Sequence, residues 1–472
     1  MPKSNPKPTA LSKEPSSIEK RRSDDLGSLP IPKLLLQQSV PASIGFLVMS
    51  IYNIVDTIFV GRYVGSEGIG AITVVLPISF LISSIGMAIG IGGSSIISRA
   101  LGGRNVGRAQ LAFGNMVSLV LVFGALFVWL GYVYSEPILT TFGAKGGIFP
   151  YAKEYFMIVL YGLPALTLAM MSNNVMRAEG QPKAAMYVLL IPALLNLILD
   201  PIFIVWLDMG IKGAAWATTI AYIGSFLFSA GYFLNGRSEL KISVADLRPD
   251  LGIIKETMSI GGITIARQSA ISLLSVVLNQ ALFKFGQETG IAVWGIINRI
   301  MMFALFPVIG TMQGFMPIAG FNYGAESWDR VKETIRIAFK YGSMISFVVF
   351  LGVIFGAEAL TKLFTTDPEL IAQTPGPMRF VFAFTPIIAV QLIGAAYFQA
   401  IGRVWPGLLL MLSRQAFVLI PLILILPQWF DLRGVFYSFP LADLISTGIT
   451  YLYLRYHLKS LGKEFYGKSL YD

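Results

Sequence analysis

The stretch IYNIVDTIFVG, residues 51–61, holds Asp56 in the middle of an apolar run, and NLILDPIFIVW, residues 196–206, does the same for Asp200. Neither quoted stretch contains a lysine or arginine that could pair with its acid. A carboxylate inside a membrane span costs about 2.5–3.5 kcal/mol on insertion scales, and it is usually kept because an ion or proton binds there. The surrounding composition decides whether these acids lie in a membrane. Of 472 residues 55% are hydrophobic and 13% charged, against about 25% charged in soluble domains. Apolar runs long enough to cross a bilayer, which takes about 20 residues, recur at 34–60, 69–98, 111–135, 152–176, 184–207, 212–234, 257–285, 291–318, 336–358, 377–401, 405–427 and 432–456. Lipid offers the backbone no hydrogen bonds, so spans of this length must be helices. The expected fold is an all-α polytopic membrane protein with 12 transmembrane helices.

Lysine and arginine collect in short cytoplasmic loops. With the N-terminus inside, 25 of the 36 basic residues fall on the cytoplasmic side, which predicts both termini there. This asymmetry also accounts for the net charge of +10, and no basic face of a soluble domain calls for nucleic acid. Residues 1–33, rich in Pro, Ser and Lys, read as a disordered basic cytoplasmic tail. They lack the apolar core of a cleavable signal peptide, so the first span is expected to act as its own insertion signal. The chain has no cysteine, which removes disulfides and thiolate metal sites. Its single histidine, His457, falls just past the last run and is expected to face headgroups.

An internal repeat with a spacing near 222 residues organises the chain. MRAEGQPKAA at 176–185 answers FQAIGRVWPG at 398–407, MGIKGAAW at 209–216 answers FDLRGVFY at 430–437, and SRALGGRNVGRA at 98–109 lies opposite NYGAESWDRVKE at 322–333. Three matches in one order predict an N-lobe over 34–234 and a C-lobe over 257–456, joined by a cytoplasmic linker, 235–256, and followed by a tail, 457–472. Six spans separate equivalent points, so the lobes share one orientation and are related by a pseudo-twofold axis along the membrane normal, with a cavity between them.

The stretches YNIVDTIFVGRYVGSEGIGA at 52–71, IISRALGGRNVGRA at 96–109, NNVMRAEGQPKAA at 173–185 and PIAGFNYGA at 317–325 resemble the multidrug and toxic compound extrusion (MATE) family, most closely its DinF-like and MepA-like bacterial branch. The resemblance covers essentially all the chain after residue 33. It implies a 6+6 exporter in the bacterial inner (plasma) membrane, driven by inward H⁺ or Na⁺, that expels amphipathic and often cationic organic compounds by alternating access. It also implies that Asp56, Asn196, Asp200 and Thr218 form the coupling-ion site. Tyr52, Asn173 and Arg177 fall on further family positions as substrate or supporting residues. No cofactor other than the ion is expected, the bilayer and small amphipathic substrates are the expected partners, and the protein is expected to act as a monomer and not as an enzyme.

Depth supports such a cluster independently. At about 1.5 Å per residue, Asp200 lies about 24 Å from the start of its span at 184, in the outer third of a core about 30 Å thick. Asn196 is four residues before Asp200 and Asn53 three before Asp56, each on its acid's helical face. Carboxylate, amide and hydroxyl oxygens at one level suit a hard cation such as Na⁺, and two close carboxylates equally suit a shared proton. The bland alternative is that either acid merely bridges two helices. The repeat sets Leu278 and Leu422 opposite Asp56 and Asp200, so coupling is expected in the N-lobe alone.

Other charges read differently. Arg414 and Asp443 fall at comparable depth in adjacent spans and are expected to pair. Arg267 and Arg299 have no partner visible in sequence; together with Gln268 they are candidates for substrate contact, the arginines most plainly if the substrate were anionic. That option keeps open a flippase of anionic lipid-linked saccharides. An intramembrane aspartyl protease with Asp56 and Asp200 as its dyad is the remote alternative, since LILDPIF lacks the glycine-rich setting of those enzymes and leaves the repeat unexplained. No P-loop appears, so ATP is not the direct energy source. Pro41 leaves the Gln37 carbonyl without its helical donor and is the candidate hinge. Met170, Met171, Met301, Met302, Met312 and Met316 would suit either an adaptable cavity or ordinary packing.

Overall fold

The structure, a computed structural model, describes residues 22–241 and 243–461, and no strand occurs among them. The first lobe holds α1 (Ile31–Tyr63), α2 (Ser66–Gly102), α3 (Val106–Val133), α4 (Ile148–Ala178), α5 (Pro182–Asp200, running on as a π-helix through Pro201–Trp206) and α6 (Gly210–Leu234). The second holds α7 (Leu251–Gly324), α8 (Trp328–Lys362), α9 (Pro375–Val381 bent by 41° onto Thr385–Ala400), α10 (Val404–Leu412, continued through a π-helix, Ser413–Leu419, to Ile420–Ile425) and α11 (Pro427–Ser460). Gln287, at φ 52°, breaks α7 into two arms, 251–286 and 288–324. Nine of the described helices are long and apolar enough to cross a membrane, and the bent α9 makes ten. The second arm of α7 and the more polar α11 complete the expected twelve.

Of the four apolar cores among the described residues, the three largest show how the lobes meet. The largest draws on both lobes, from Ile89, Ile97 and Phe113 to Phe315, Ile318 and Tyr397, and Leu29 and Leu461, near the two described ends, pack onto it. We call this end of the bundle basal. The other two cores belong to one lobe each: one runs from Val60 to Ala215, the other from Leu278 to Ala442. The lobes are therefore fused basally and packed separately at the distal end.

Glycine makes the fusion possible. A Cβ on Gly102 would strike the Phe321 carbonyl oxygen, and one on Gly324 would strike the Arg99 carbonyl oxygen. Positions 102 and 324, like 99 and 321, are 222 apart, so the two contacts are images of each other about an axis through the crossing of α2 with the second arm of α7. Gly320 abuts its own counterpart, Ser98, on that axis, while Gly92 against Gly261 repeats Gly314 against Ser39. Small residues that let backbones touch are how helices associate where no hydrophobic force separates lipid from protein. Polar contacts add to this seam: Glu256 of the second lobe accepts from Arg99 Nη2 at 2.9 Å and Arg108 Nη2 at 2.7 Å, and Ser95 Oγ donates to the carbonyls of Gln399 and Ala400.

Both expected tails are shorter than the sequence suggests. Residues 1–21 lie outside the described part, but from Arg22 the chain is ordered. Ser23 donates through N and Oγ to the Glu239 carboxylate at 2.7 and 2.6 Å, Leu26 is fully buried, and Asn322 and Arg330 donate to its carbonyl. Two leucines three residues apart, Leu26 and Leu29, are too short a run among polar residues to give a periodic signal, which is why this strap reads as tail. At the other end α11 continues to Ser460, so His457 is buried beside the Tyr397 hydroxyl, 3.3 Å away, and does not face headgroups. Residues 462–472 lie outside the described part. The linker also shortens, to 235–250, because Asp250 caps α7 by accepting from the Ile253 N–H.

Candidate functional site

Asp56 sits on the distal half of α1 and Asp200 is the last residue of α5 before its π-turn. Pro201 has no N–H to give the carbonyl four residues back, and the chain answers with the wider π-turn, a distortion common at functional sites. Asp56 is 7% exposed and Asp200 0%, and the two carboxyls lie within hydrogen-bonding reach of each other. Asp56 Oδ1 and both oxygens of Asp200 have no donor among the described residues. Around them stand Asn196, whose Nδ2 donates to Thr218 Oγ1 at 3.3 Å, Tyr155, which hydrogen-bonds Thr218, and Tyr52, which hydrogen-bonds Tyr222. Burying carboxyl oxygens with neither a cation nor a donor is the costly case. One proton between the acids, or one Na⁺ among their oxygens, Thr218 Oγ1 and Asn196 Oδ1, would relieve it. A small cavity behind Tyr52 and Tyr222, bordered by Met49, Leu76, Phe80 and Met170, has a volume of about 40 Å³, so it admits a few waters and no drug-sized molecule.

The structure thus gathers Asp56, Asn196, Asp200, Thr218 and Tyr52. The Asn53 side chain lies outside the described residues. Asn173 and Arg177 stand elsewhere, at the basal end of α4, where Arg177 Nε donates to Asn173 Oδ1 at 3.1 Å. Gln268 and Arg299 are exposed on α7 and Arg267 is half-buried there, all in the opposite lobe. Sequence reasoning missed Tyr155 and Tyr222. Tyr222 was findable, four residues after Thr218 on one helical face; Tyr155 comes from another helix and carried no such signal. The expected Arg414–Asp443 pair is present, Nε to Oδ1 at 2.5 Å.

The MatE family model matches residues 41–202 and 264–425, one copy in each lobe. The chain belongs to the MATE family. The two matched segments begin 223 residues apart, so the repeat read from three short motifs extends along both lobes. Among MATE relatives, the multidrug export protein MepA of Staphylococcus aureus strain MSSA476 is 25% identical over 414 residues, covering 88% of this chain and 91% of that protein. MepA of Staphylococcus haemolyticus strain JCSC1435 is 26% identical over 428 residues, covering 91% and 94%. A solved structure described as the outward-facing conformation of a multidrug resistance MATE family transporter of the MOP superfamily superimposes with a TM-score of 0.88 at 26% identity, over 94% of this chain and 100% of that one. MATE proteins are membrane transporters and not enzymes, which disposes of the aspartyl protease reading.

Proposed function

We propose that this MATE protein is a secondary active multidrug exporter, in which H⁺ or Na⁺ binding at Asp56 and Asp200 drives extrusion of amphipathic, often cationic, organic compounds. The observation that carries this reading is the pair of buried carboxyls in mutual contact with no basic residue against them. Such a pair holds together when one cation neutralises it and is pushed apart when the cation leaves. The site connects to the lobe seam through α1. Its distal half carries Asp56, while Ser39 and Ser43 on its basal half pack against Gly314 and Gly310 of the second lobe. Pro41 lies between those two serines, inside a helix that runs on unbroken. A shift of α1 set by ion occupancy would thus load the seam directly.

The lysine and arginine distribution supports placing the basal end in the cytoplasm of a bacterial inner membrane. On that placement the fused basal core and separate distal cores describe an outward-facing state. The deciding experiment measures efflux of an organic cation from proteoliposomes under an imposed pH gradient and separately under a Na⁺ gradient. One gradient should drive wild-type transport, and Asp56→Asn and Asp200→Asn should each abolish it. Full transport by both variants, or none by the wild type under either gradient, overturns the proposal.

A further inference from the structure

Among the buried groups that the ion site does not use, Arg177 stands out. It is 3% exposed, its Nε is committed to Asn173, and Nη1 and Nη2 have no partner among the described residues. Three other arginines at the seam or in the second lobe are served: Arg99 and Arg108 by Glu256, Arg414 by Asp443. The C-lobe counterpart of Arg177, Gln399, is neutral and satisfied, its amide donating to the Ile260 carbonyl and Thr264 Oγ1. Arg177 lines a cavity in the basal seam with Ser98 and Asn174 of the first lobe and Gln313, Met316 and Pro317 of the second, and no carboxylate borders it. A position in the last turn of α4 gives Arg177 some help from the helix dipole. It leaves the Nη donors unmatched, and a buried charge without a counter-charge is strongly disfavoured.

We propose that this cavity is a binding site for a small inorganic anion of chloride size, formed only while the basal seam is shut. Size selects the anion. The cavity volume is about 20 Å³, and a single water needs about 10–15 Å³. A monatomic halide fits; phosphate or a drug carboxylate does not. Chemistry agrees, because the serine hydroxyls and the Asn174 amide already donate to carbonyls, so the anion would take its hydrogen bonds from Arg177 and from Gln313 across the seam. Since its walls come from both lobes, separating them basally destroys the site. The anion therefore stabilises the shut state alone, multiplying the shut-to-open ratio by one plus its concentration over Kd.

The chain has no cysteine, so a Gly107→Cys, Lys332→Cys pair on the two lobes can carry spin labels in the full-length protein in nanodiscs. Distance distributions are compared in potassium chloride and potassium gluconate at constant ionic strength. The shut population should rise saturably with chloride, by about 11-fold in ratio at ten times Kd, and bromide should substitute. Arg177→Gln should lose the response. Gln313→Leu, which keeps the guanidinium, should weaken it, so the test survives if the arginine variant does not fold. Identical distributions in chloride and gluconate, as expected if only water fills the cavity, overturn the proposal, as does an undiminished response in Gln313→Leu.

Discussion

Replacing Gly102 by alanine tests whether the backbone crossing at the seam is what holds the lobes together basally. The new methyl group would meet the Phe321 carbonyl oxygen, and the Phe321 and Ala325 backbone atoms behind it cannot swing aside as a side chain would. Overpacking of this kind costs about 1–3 kcal/mol. The alanine also raises helix propensity by up to about 1 kcal/mol, but Gly102 is helical whether or not the lobes touch, so that gain cancels between states. The net penalty falls on the shut state, and at about 1.4 kcal/mol per factor of ten in population it shifts the balance some 5–150-fold towards basal opening. Gly324→Ala should behave alike, because its methyl meets the Arg99 carbonyl oxygen at the symmetry-related point. The two act on one crossing, so their double variant should depart from additivity. The labelled Gly107→Cys, Lys332→Cys pair reads the outcome as growth of a longer distance. Unchanged distributions in both single variants would refute the argument that the seam depends on these two glycines.

Two further outcomes follow from buried charge. Asp443→Ala strands the Arg414 guanidinium, of which only 11% of the side chain is exposed, and should cost about 3–5 kcal/mol, whereas Arg414→Met with Asp443→Leu should be nearly neutral. Thermal unfolding of both variants beside the wild type checks this, and an Asp443→Ala protein of full stability that fails in transport would instead make the pair part of the transport path. At the basal loop, burial pushes the Glu179 carboxyl from 4.5 up to about 7, against donors from Ser238, Leu240, Tyr232 and Glu239 that pull it down. An acid raised by folding keeps a proton that the unfolded chain has released, so this group's contribution is lost as pH climbs from about 4.5 to about 7. At about 1.4 kcal/mol per unit the loss approaches about 3 kcal/mol. The wild-type melting temperature should therefore fall relative to Glu179→Gln between pH 5 and pH 8, and parallel curves would refute it.

Much of this architecture was legible because membrane helices announce themselves by length and apolarity, and because 222 residues recurs as an offset wherever a motif is marked by glycine or charge. What escaped had no such mark. The strap over residues 22–29 depends on Leu26, Leu29, Ser23 and polar partners distant in sequence. The reversal at Gln287 and the π-turns after Asp200 and around Arg414 are backbone events that hydropathy does not register. At the site, residues on one helical face could be grouped by spacing, as Asn196 with Asp200, and those meeting across helices could not, as Tyr155 with Thr218. Arg177 was picked out by its motif as a substrate or supporting residue but could not be placed at the basal end, because a motif fixes position along a helix and says nothing about which end of the bundle does the work.

The comparison of the two lobes argues for a division of labour. Each fifth helix carries a π-turn, Pro201–Trp206 in the first lobe and Ser413–Leu419 in the second, and each has a charged residue at it. In the second lobe that residue, Arg414, is answered by Asp443, while Leu278 and Leu422, set opposite Asp56 and Asp200 by the repeat, pack into the apolar core. The π-turn of that half is internally neutral and has nothing to gain from an ion. In the first lobe the two acids answer only each other. The same distortion is thus closed by a built-in counter-charge on one side and left to be closed by a mobile one on the other. A lobe whose π-turn is always neutral can serve as the fixed reference against which the ion-dependent lobe moves. On this reasoning, giving the second lobe its own acid at Leu278 should destabilise it without creating a second coupled ion, and a transport stoichiometry that rose with Leu278→Asp would contradict it.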